Sequence, residues 1–360
     1  MAGIRAGIRK EEIETPALLI DMDLLEYNIK LMSDYMKDKK AKLRPHYKTF
    51  KCPTIAHIQL RAGAKGICCA KLGEAETLVK AGIQDVLIAN QVIDPVKISR
   101  LAGLARIAKL SVAVDNPENV KELSRAAKEH GSTIYVLIEV DVGMKRCGIN
   151  TGEEAYNLAR LISDSEGLVF EGIQAYEGHV ILNPDINARR RGVEEMVKKV
   201  GGIKDFLEKK GIGVNEISGG GTGTYNITGD NTIWTEIQAG SYVFMDTSYN
   251  QLGLGFKNSL TVYTEVIHKR KGMAITDAGM KACTTDHGMP VVKGYPAMSV
   301  QLHEEHGLIT DQKDELSYMQ KIEYIPGHCC TTVNLYDQYY CVRNDLLEAV
   351  WPITGRGMCR

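Results

Sequence analysis

The sequence predicts an α/β fold, a TIM-type (β/α)8 barrel followed by a C-terminal, mainly β domain, and three observations carry that prediction. From residue 40 to 240 short β-branched runs alternate with amphipathic segments, the signature of parallel strands joined by helices. Eight such runs can be counted, which suits a closed barrel better than an open doubly wound sheet. Beyond residue 250 the helical periodicity fades and strand-like runs separated by Gly, Asp and Asn take over. A chain of 360 residues also exceeds the roughly 250 to 300 residues at which one core stops growing, so a second unit is expected.

The candidate barrel strands are, in order, 42–48 (KLRPHYK), 66–70 (GICCA), 85–90 (DVLIAN), 109–114 (KLSVAV), 133–141 (TIYVLIEVD), 168–176 (LVFEGIQAY), 214–218 (VNEIS) and 234–239 (WTEIQA). Between them lie helical patterns such as LGEAETLVKAG, PENVKELSRAAKEHG and TGEEAYNLARLIS, several opening on a capping residue and ending at glycine. The run ALLIDM at 17–22 precedes the first helix and has no barrel partner, so it is expected to pair with the β domain. The barrel is therefore placed at 23–245, and the β domain at 1–22 plus 246–360. Arg189, Arg190 and Arg191 form a basic run on a helical segment, read as a solvated face.

Composition narrows the function. With 44 basic against 45 acidic residues the net charge is −1, and the footprint of a nucleic-acid binder or polybasic membrane protein is missing. Nine cysteines without a CxxC pair read as thiols in a reducing cytoplasm. The opening MAGIRAGIRKEEIETP has no apolar h-region, and no stretch reaches the roughly 18 apolar residues a membrane span needs. A compact substrate is the expectation.

Active sites of such barrels gather at the C-terminal ends of the strands. There the first strand offers Arg44-Pro45-His46-Tyr47-Lys48, the fifth Glu139, Asp141 and then Arg146, and the sixth Tyr176-Glu177-Gly178-His179. The seventh meets Gly219-Gly220-Gly221-Thr222-Gly223-Thr224, and the eighth Gly240-Ser241-Tyr242. Small residues after strands 7 and 8 suit backbone N–H donation to a phosphate, although the run matches neither Walker A nor GxGxxG and a flexible turn is the plainer alternative. Lys48, at a strand end, either snorkels to solvent or reacts, and a lysine imine beside a phosphate cradle suggests pyridoxal phosphate. Near the end of the chain, His328 and Cys330 stand in PGHCCT. On a strand, positions i and i+2 share a face, so imidazole and thiolate could hold one Zn²⁺ or similar cation in an open, catalytic arrangement.

These residues resemble a known family. RPHYKTFK is similar to the RPHxKTHK signature of the D-threonine aldolase and D-serine dehydratase group, fold-type III pyridoxal-phosphate enzymes related to alanine racemase. The likeness spans nearly the whole chain, through ETPALLID near the start, EVDVGMKRCGI at 139–149, YEGH at 176–179, GGGTGTY at 219–225, EIQAGSYVFMD at 236–246, DAGMKA at 277–282, EEHG at 304–307 and PGHCCTTVNLYD at 326–337. The GGGTGTY, YEGH and TVNLYD forms look more like the D-threonine and 3-hydroxy-D-aspartate aldolases. In one respect the chain departs from them: His-x-Asp is the aldolase habit at the metal, whereas His328-Cys329-Cys330 follows the dehydratases. A thiolate favours Zn²⁺ over Mn²⁺ or Mg²⁺.

The resemblance implies that Lys48 holds pyridoxal phosphate as a Schiff base. His46, Arg146, Tyr176, Gly221, Thr222, Gly223, Gly240, Ser241 and Tyr242 would surround the cofactor, with Tyr47 lining its pocket. Arg146 would face the cofactor's phenolic oxygen or the substrate carboxylate, its plainer alternative being a salt bridge to Asp141. A divalent metal on His328 and Cys330 would bind the β-hydroxyl of a D-3-hydroxy amino acid, and His179 or a metal-bound hydroxide would take its proton as glycine and an aldehyde form. Dehydration to a keto acid and ammonia uses the same parts, with Lys48 as the base at Cα. A non-catalytic cofactor carrier and a racemase are the other readings. Asp277, Lys281, Asp286, Glu304, Glu305 and His306 would shape the substrate mouth, in a homodimer like that of the racemases; His57, His130 and His268 carry no motif.

Overall fold

In the computed structural model, which describes residues 6–360, the chain clusters into two compact units. Residues 1–5, assigned above to the β domain, lie outside the described residues. One unit comprises Ser33–Lys48, Ile55–Gly240 and Met358–Arg360; the other runs up to Met32 and adds Thr49–Thr54 and Ser241–Gly357.

The first unit is the predicted barrel. Its eight parallel strands are Lys42–Leu43, Ile67–Cys69, Asp85–Ile88, Lys109–Val114, Ile134–Glu139, Leu168–Ala175, Glu216–Gly219 and Glu236–Ile237. Each lies inside or within a residue of its predicted run. Strand order follows chain order from the second to the eighth, and the first pairs with the eighth. A bridge between His46 and Cys68 closes the ring, with Tyr47 N donating to Cys68 O at 2.6 Å and Cys68 N to Pro45 O at 3.0 Å. The parallel strands are buried on both faces, as Ile67, Val86, Leu87, Val112, Val136 and Ile173 show, so they read as continuous apolar runs.

Local signals fix the intervening helices. Asn116 caps Pro117–His130, which ends on Gly131 in the left-handed region, and Thr151 with Glu154 forms a capping box for Gly152–Ser163. Asp85, Glu216 and Glu236 each open a strand, so their carboxylates crowd the N-terminal end of the barrel. Arg44, itself buried, reaches Asp85 at 2.8 Å and Glu236 at 2.6 Å, while Lys65 meets Glu236 at 2.9 Å and also Glu216. Charges are tolerated there because each has an opposite partner and hydrogen bonds. Burial opposes ionisation of Glu236, but Arg44 and Lys65 prevail and hold its carboxyl down at about 2.

The basic run at 189–191 needs correction. Arg189 is 2 % exposed on the helix Ile186–Lys209, donating to the carbonyls of Asn183 (2.5 Å) and Pro184 (3.4 Å). One residue of the three turns inward on the helical period, and there it fastens the preceding loop.

The second unit is built on a nine-stranded sheet. Ala17–Asp21 lies inside it, antiparallel to Leu260–Arg270 and parallel to Gln338–Arg343, as its lack of a barrel partner predicts. The strand reading of His328-Cys329-Cys330 is wrong. The strand Lys321–Ile325 stops before Pro326, and Cys329–Val333 is a short helix with His328 at its N-cap. The cause lies far away in sequence: Asp246, fully buried, caps the helix Thr247–Asn250 through Tyr249 N (3.1 Å) and also accepts from Cys329 N (3.0 Å), so one carboxylate caps two helices. Among the described residues no helix is long and apolar enough to cross a membrane.

Candidate active site

At the C-terminal mouth of the barrel, the chain turns at residues 47–50, directly after the bridge residue His46. The buried His46 ring accepts from Lys48 N at 3.4 Å, which leaves the Lys48 side chain exposed. Tyr47 turns the other way, its phenol accepting from Thr77 on the helix Leu72–Lys80 at 3.3 Å. Lys48 Nζ lies 5.8 Å from the centre of the Tyr176 ring, and the guanidinium of Arg146 lies 6.0 Å from the same ring. Two cations thus flank one aromatic, and neither has a carboxylate within ion-pair distance among the described residues. That arrangement fits an anionic aromatic ligand carrying a reactive carbonyl, which pyridoxal phosphate is.

Arg146 rides on a loop that organises itself. Asp141 Oδ1 accepts from Gly143 N (2.9 Å) and Lys145 N (3.0 Å), and Lys199 Nζ donates to Asp141 O at 2.6 Å. Asp141 is therefore a turn-former and not the salt-bridge partner of Arg146. His179 is exposed and lies against this loop: a Cβ on Gly143, whose φ is +126°, would come 2.7 Å from His179 Nε2. Below the mouth, buried Glu139 is held by Gln174 Nε2. Burial lifts its carboxyl to about 7, against the pull of Gln174 and Arg146. Gln238 Nε2 continues the chain to Gln174 (3.2 Å) and Ser218 (2.9 Å), and Cys68 Sγ meets Gln238 Oε1 at 3.4 Å.

The glycine run has a packing reason. A Cβ on Gly219 would collide with Ala175 O, and one on Gly221 or Gly223 with Ile181. Small residues are required because the loop lies directly on the 175–181 segment. Glu177, 0 % exposed, ties the two together. It accepts from Gly220 N at 3.1 Å, Thr224 Oγ1 at 2.6 Å and Thr228 Oγ1 at 2.7 Å. Sequence reasoning passed over this residue in favour of its neighbours Tyr176 and His179; its place inside YEGH, three residues after a buried strand position, was the available signal. Thr222 is buried in the loop. Gly240 ends the barrel unit's main segment.

In the other unit, Ser241–Val243 forms a single 3-10 turn and Tyr242 is wholly buried, its ring 5.5 Å from that of Phe256. Ser241 Oγ lies 3.9 Å from Cys330 Sγ, and Cys330 Sγ also contacts Thr49 Oγ1 at 3.2 Å. Thr49 is the residue that follows Lys48 in the chain. His328 Nδ1 pairs with Asp286 Oδ2 at 2.6 Å, and Thr331 Oγ1 donates to Asp286 Oδ1 at 2.7 Å. Burial disfavours the His328 imidazolium, yet Cys330 and Asp286 outweigh it and lift its pKa to about 9. Asp286 in turn is held at about 2, burial being overcome by His328 and Thr331. His287 stacks on His328 with 4.0 Å between ring centres, and the donor atoms of Asp286, His287 and His328 lie within 4.8 Å of one another. An imidazole whose Nδ1 is turned to a carboxylate is the usual setting of a metal ligand, so His328, oriented by Asp286, fits a divalent cation.

Three of the residues expected at the mouth have the following partners. Asp277 accepts from Thr15 (2.6 Å), Thr264 (2.7 Å) and Glu265 N (3.0 Å), and Lys281 pairs with Glu305 at 2.5 Å.

Comparison with known proteins agrees with this geometry. Residues 20–248 match the family model for the N-terminal domain of alanine racemase, and residues 259–342 match the serine dehydratase domain. The chain belongs to the alanine racemase-like family of fold-type III pyridoxal-phosphate enzymes. Within that family it is 36% identical to 3-hydroxy-D-aspartate aldolase of Paracoccus denitrificans (strain Pd 1222), covering 98% of this chain and 94% of that protein. It is 38% identical to D-threonine aldolase of Arthrobacter sp, over 97% and 94%. The solved D-threonine aldolase from Filomicrobium marinum superposes with a TM-score of 0.97 at 36% identity, covering 99% of each chain. A D-threo-3-hydroxyaspartate dehydratase of Delftia sp. (strain HT23) is more distant, at 27% over 94% and 97%. Relatives of this fold-type III group put the chain among pyridoxal-phosphate-dependent lyases, with the aldolases nearer than that dehydratase.

Proposed function

We propose that this chain cleaves D-3-hydroxy amino acids of the D-threonine or 3-hydroxy-D-aspartate type into glycine and an aldehyde. The observation that carries the reading is the pair of cations, Lys48 and Arg146, on the Tyr176 ring at the barrel mouth. Bound pyridoxal phosphate supplies the electron sink for charge at Cα, and a divalent metal supplies the Lewis acid for the β-hydroxyl. Lys48 Nζ anchors the cofactor. Its phosphate falls to the backbone of Gly221, Thr222 and Gly223 with Gly240, Ser241 and Tyr242, while His46 and Tyr176 frame the ring. Arg146 would meet an anionic group of the cofactor, and Glu139 is buried. His328 and Cys330 hold the metal, and His179 Nε2 takes the proton from the β-hydroxyl.

Cys330 supports a second reading, dehydration to a keto acid and ammonia. A cysteine-to-alanine variant of D-threo-3-hydroxyaspartate dehydratase has been solved in a metal-free form, at 25% identity and a TM-score of 0.88. Incubating the protein with D-threonine and with 3-hydroxy-D-aspartate, and quantifying glycine separately from ammonia, distinguishes the two. Glycine and aldehyde in equal amounts are expected; ammonia without glycine would overturn the aldolase reading.

The metal assignment gives its own expectation. Asp286→Ala removes the carboxylate that turns Nδ1 of His328 and should weaken metal affinity by about 10–100-fold, read by equilibrium dialysis, with the visible absorbance of the cofactor retained. An unchanged affinity would mean that His328 does not bind metal through this orientation. We place the enzyme in the cytoplasm, in keeping with nine cysteines that form no disulfide among the described residues, and as a homodimer by its likeness to the racemases.

A further inference from the structure

The exposed ring of His287 is unaccounted for by the reaction just described. It makes no hydrogen bond among the described residues and lies flat on His328 with an interplanar angle of 2° and a centre-to-centre distance of 4.0 Å. Asp286, its neighbour in sequence, spends one oxygen on His328 and the other on Thr331.

The stacking decides what His287 cannot do in this orientation. A cation bound by an imidazole lies in the plane of that ring, along the nitrogen lone pair, at about 2.0–2.1 Å for zinc. Two parallel planes share no such point, so one ion cannot be held in plane by both His287 and His328. His287 is thus beside the metal centre without being a ligand of it, and its ring nitrogens remain available to a ligand.

Substrate chemistry then supplies the occupant. In a D-3-hydroxy amino acid the hydroxyl and the side group sit on the same carbon. A hydroxyl brought to a metal on His328 therefore carries the side group into the immediate surroundings of that imidazole. We propose that His287 reads this side group, and that its ring N–H favours substrates in which the group is a carboxylate, as in 3-hydroxyaspartate, over those in which it is a methyl, as in D-threonine. A methyl gains nothing from an N–H donor, whereas a carboxylate gains a charge-assisted hydrogen bond. This inference deepens the proposed function and rests on one part of it, the metal on His328.

The test uses the holoenzyme with His287→Phe, which keeps a flat ring against His328 but has no N–H, and His287→Ala. For both, kcat/KM toward 3-hydroxy-D-aspartate is expected to fall by about 10–100-fold, mostly through KM, while the value for D-threonine stays within about twofold. Malate, which carries a hydroxyl and a carboxylate on one carbon but has no amino group and cannot be cleaved, should lose affinity by a similar factor in calorimetry, and metal content by equilibrium dialysis should be unchanged. Equal losses on both substrates, or a loss of metal, would overturn the proposal. The ratio between the two substrates can be measured on whichever product forms, so a protein that released ammonia instead of glycine would refute the aldolase reading and still test His287.

Discussion

Glu177→Ala is expected to destabilise the protein by about 3–9 kcal/mol, because it strands three buried donors that each cost about 1–3 kcal/mol when left unpaired. The carboxylate is fully buried and accepts from Gly220 N, Thr224 Oγ1 and Thr228 Oγ1. Removing it also opens a cavity between the glycine loop and the 175–181 segment. Glu177→Gln should be milder. Its amide oxygen can keep both threonine hydroxyls, which share Oε1 in the native residue, but its NH₂ then faces the Gly220 N–H, donor against donor, at a cost of about 1–3 kcal/mol. Urea midpoints of the two variants, taken without cofactor, measure these effects directly. The same loop is proposed to receive the phosphate, so both variants should also release the cofactor more readily on dialysis, Ala more than Gln. A Glu177→Ala protein within about 1 kcal/mol of wild type would show that the loop holds its shape by glycine packing alone.

This residue illustrates which parts of the molecule were legible in the sequence. The barrel was, because eight buried strands leave eight β-branched runs and the helices between them carry their own caps. The pairing of Ala17–Asp21 with the second sheet was too, since a strand pattern ahead of the barrel had nowhere else to go. Lys48, Arg146 and Tyr176 were placed by their motifs and the structure brings them together. What escaped were effects of distance. Nothing near residue 328 announces that Asp246 will cap the segment from 83 residues away and turn an expected strand into a helix. Nothing near Arg189 announces that its guanidinium will find the carbonyls of Asn183 and Pro184 and fold inward. Glu177 and Glu139 were visible as letters after strands, but a buried carboxylate gains its role from its partners, and partners are not in the local pattern. His287 was missed for the same reason: a stacked ring has no spacing signature.

Lys48→Ala is expected to have the largest effect on catalysis, a fall in activity of roughly 10⁴-fold or more, the scale on which loss of a reacting group is felt. Two lysines three residues apart differ in their surroundings. Lys51 is 6 % exposed, has a φ of +47° and donates to Gly355 O at 3.3 Å, so its ammonium is spent on the fold. Lys48 is exposed at the barrel mouth and lies over the Tyr176 ring, with no carboxylate in ion-pair distance among the described residues. An exposed amine at the barrel mouth is open to attack on a carbonyl, as one spent on a backbone contact is not. Purified wild type should therefore be yellow and should retain a covalent adduct after borohydride, and Lys48→Ala should lose that adduct. Lys51→Met should keep it while melting earlier. The melting temperature of Lys48→Ala should stay close to that of cofactor-free wild type, since an exposed side chain without a partner contributes little to stability. An intact adduct in Lys48→Ala would assign the cofactor to another lysine and take the proposed site with it.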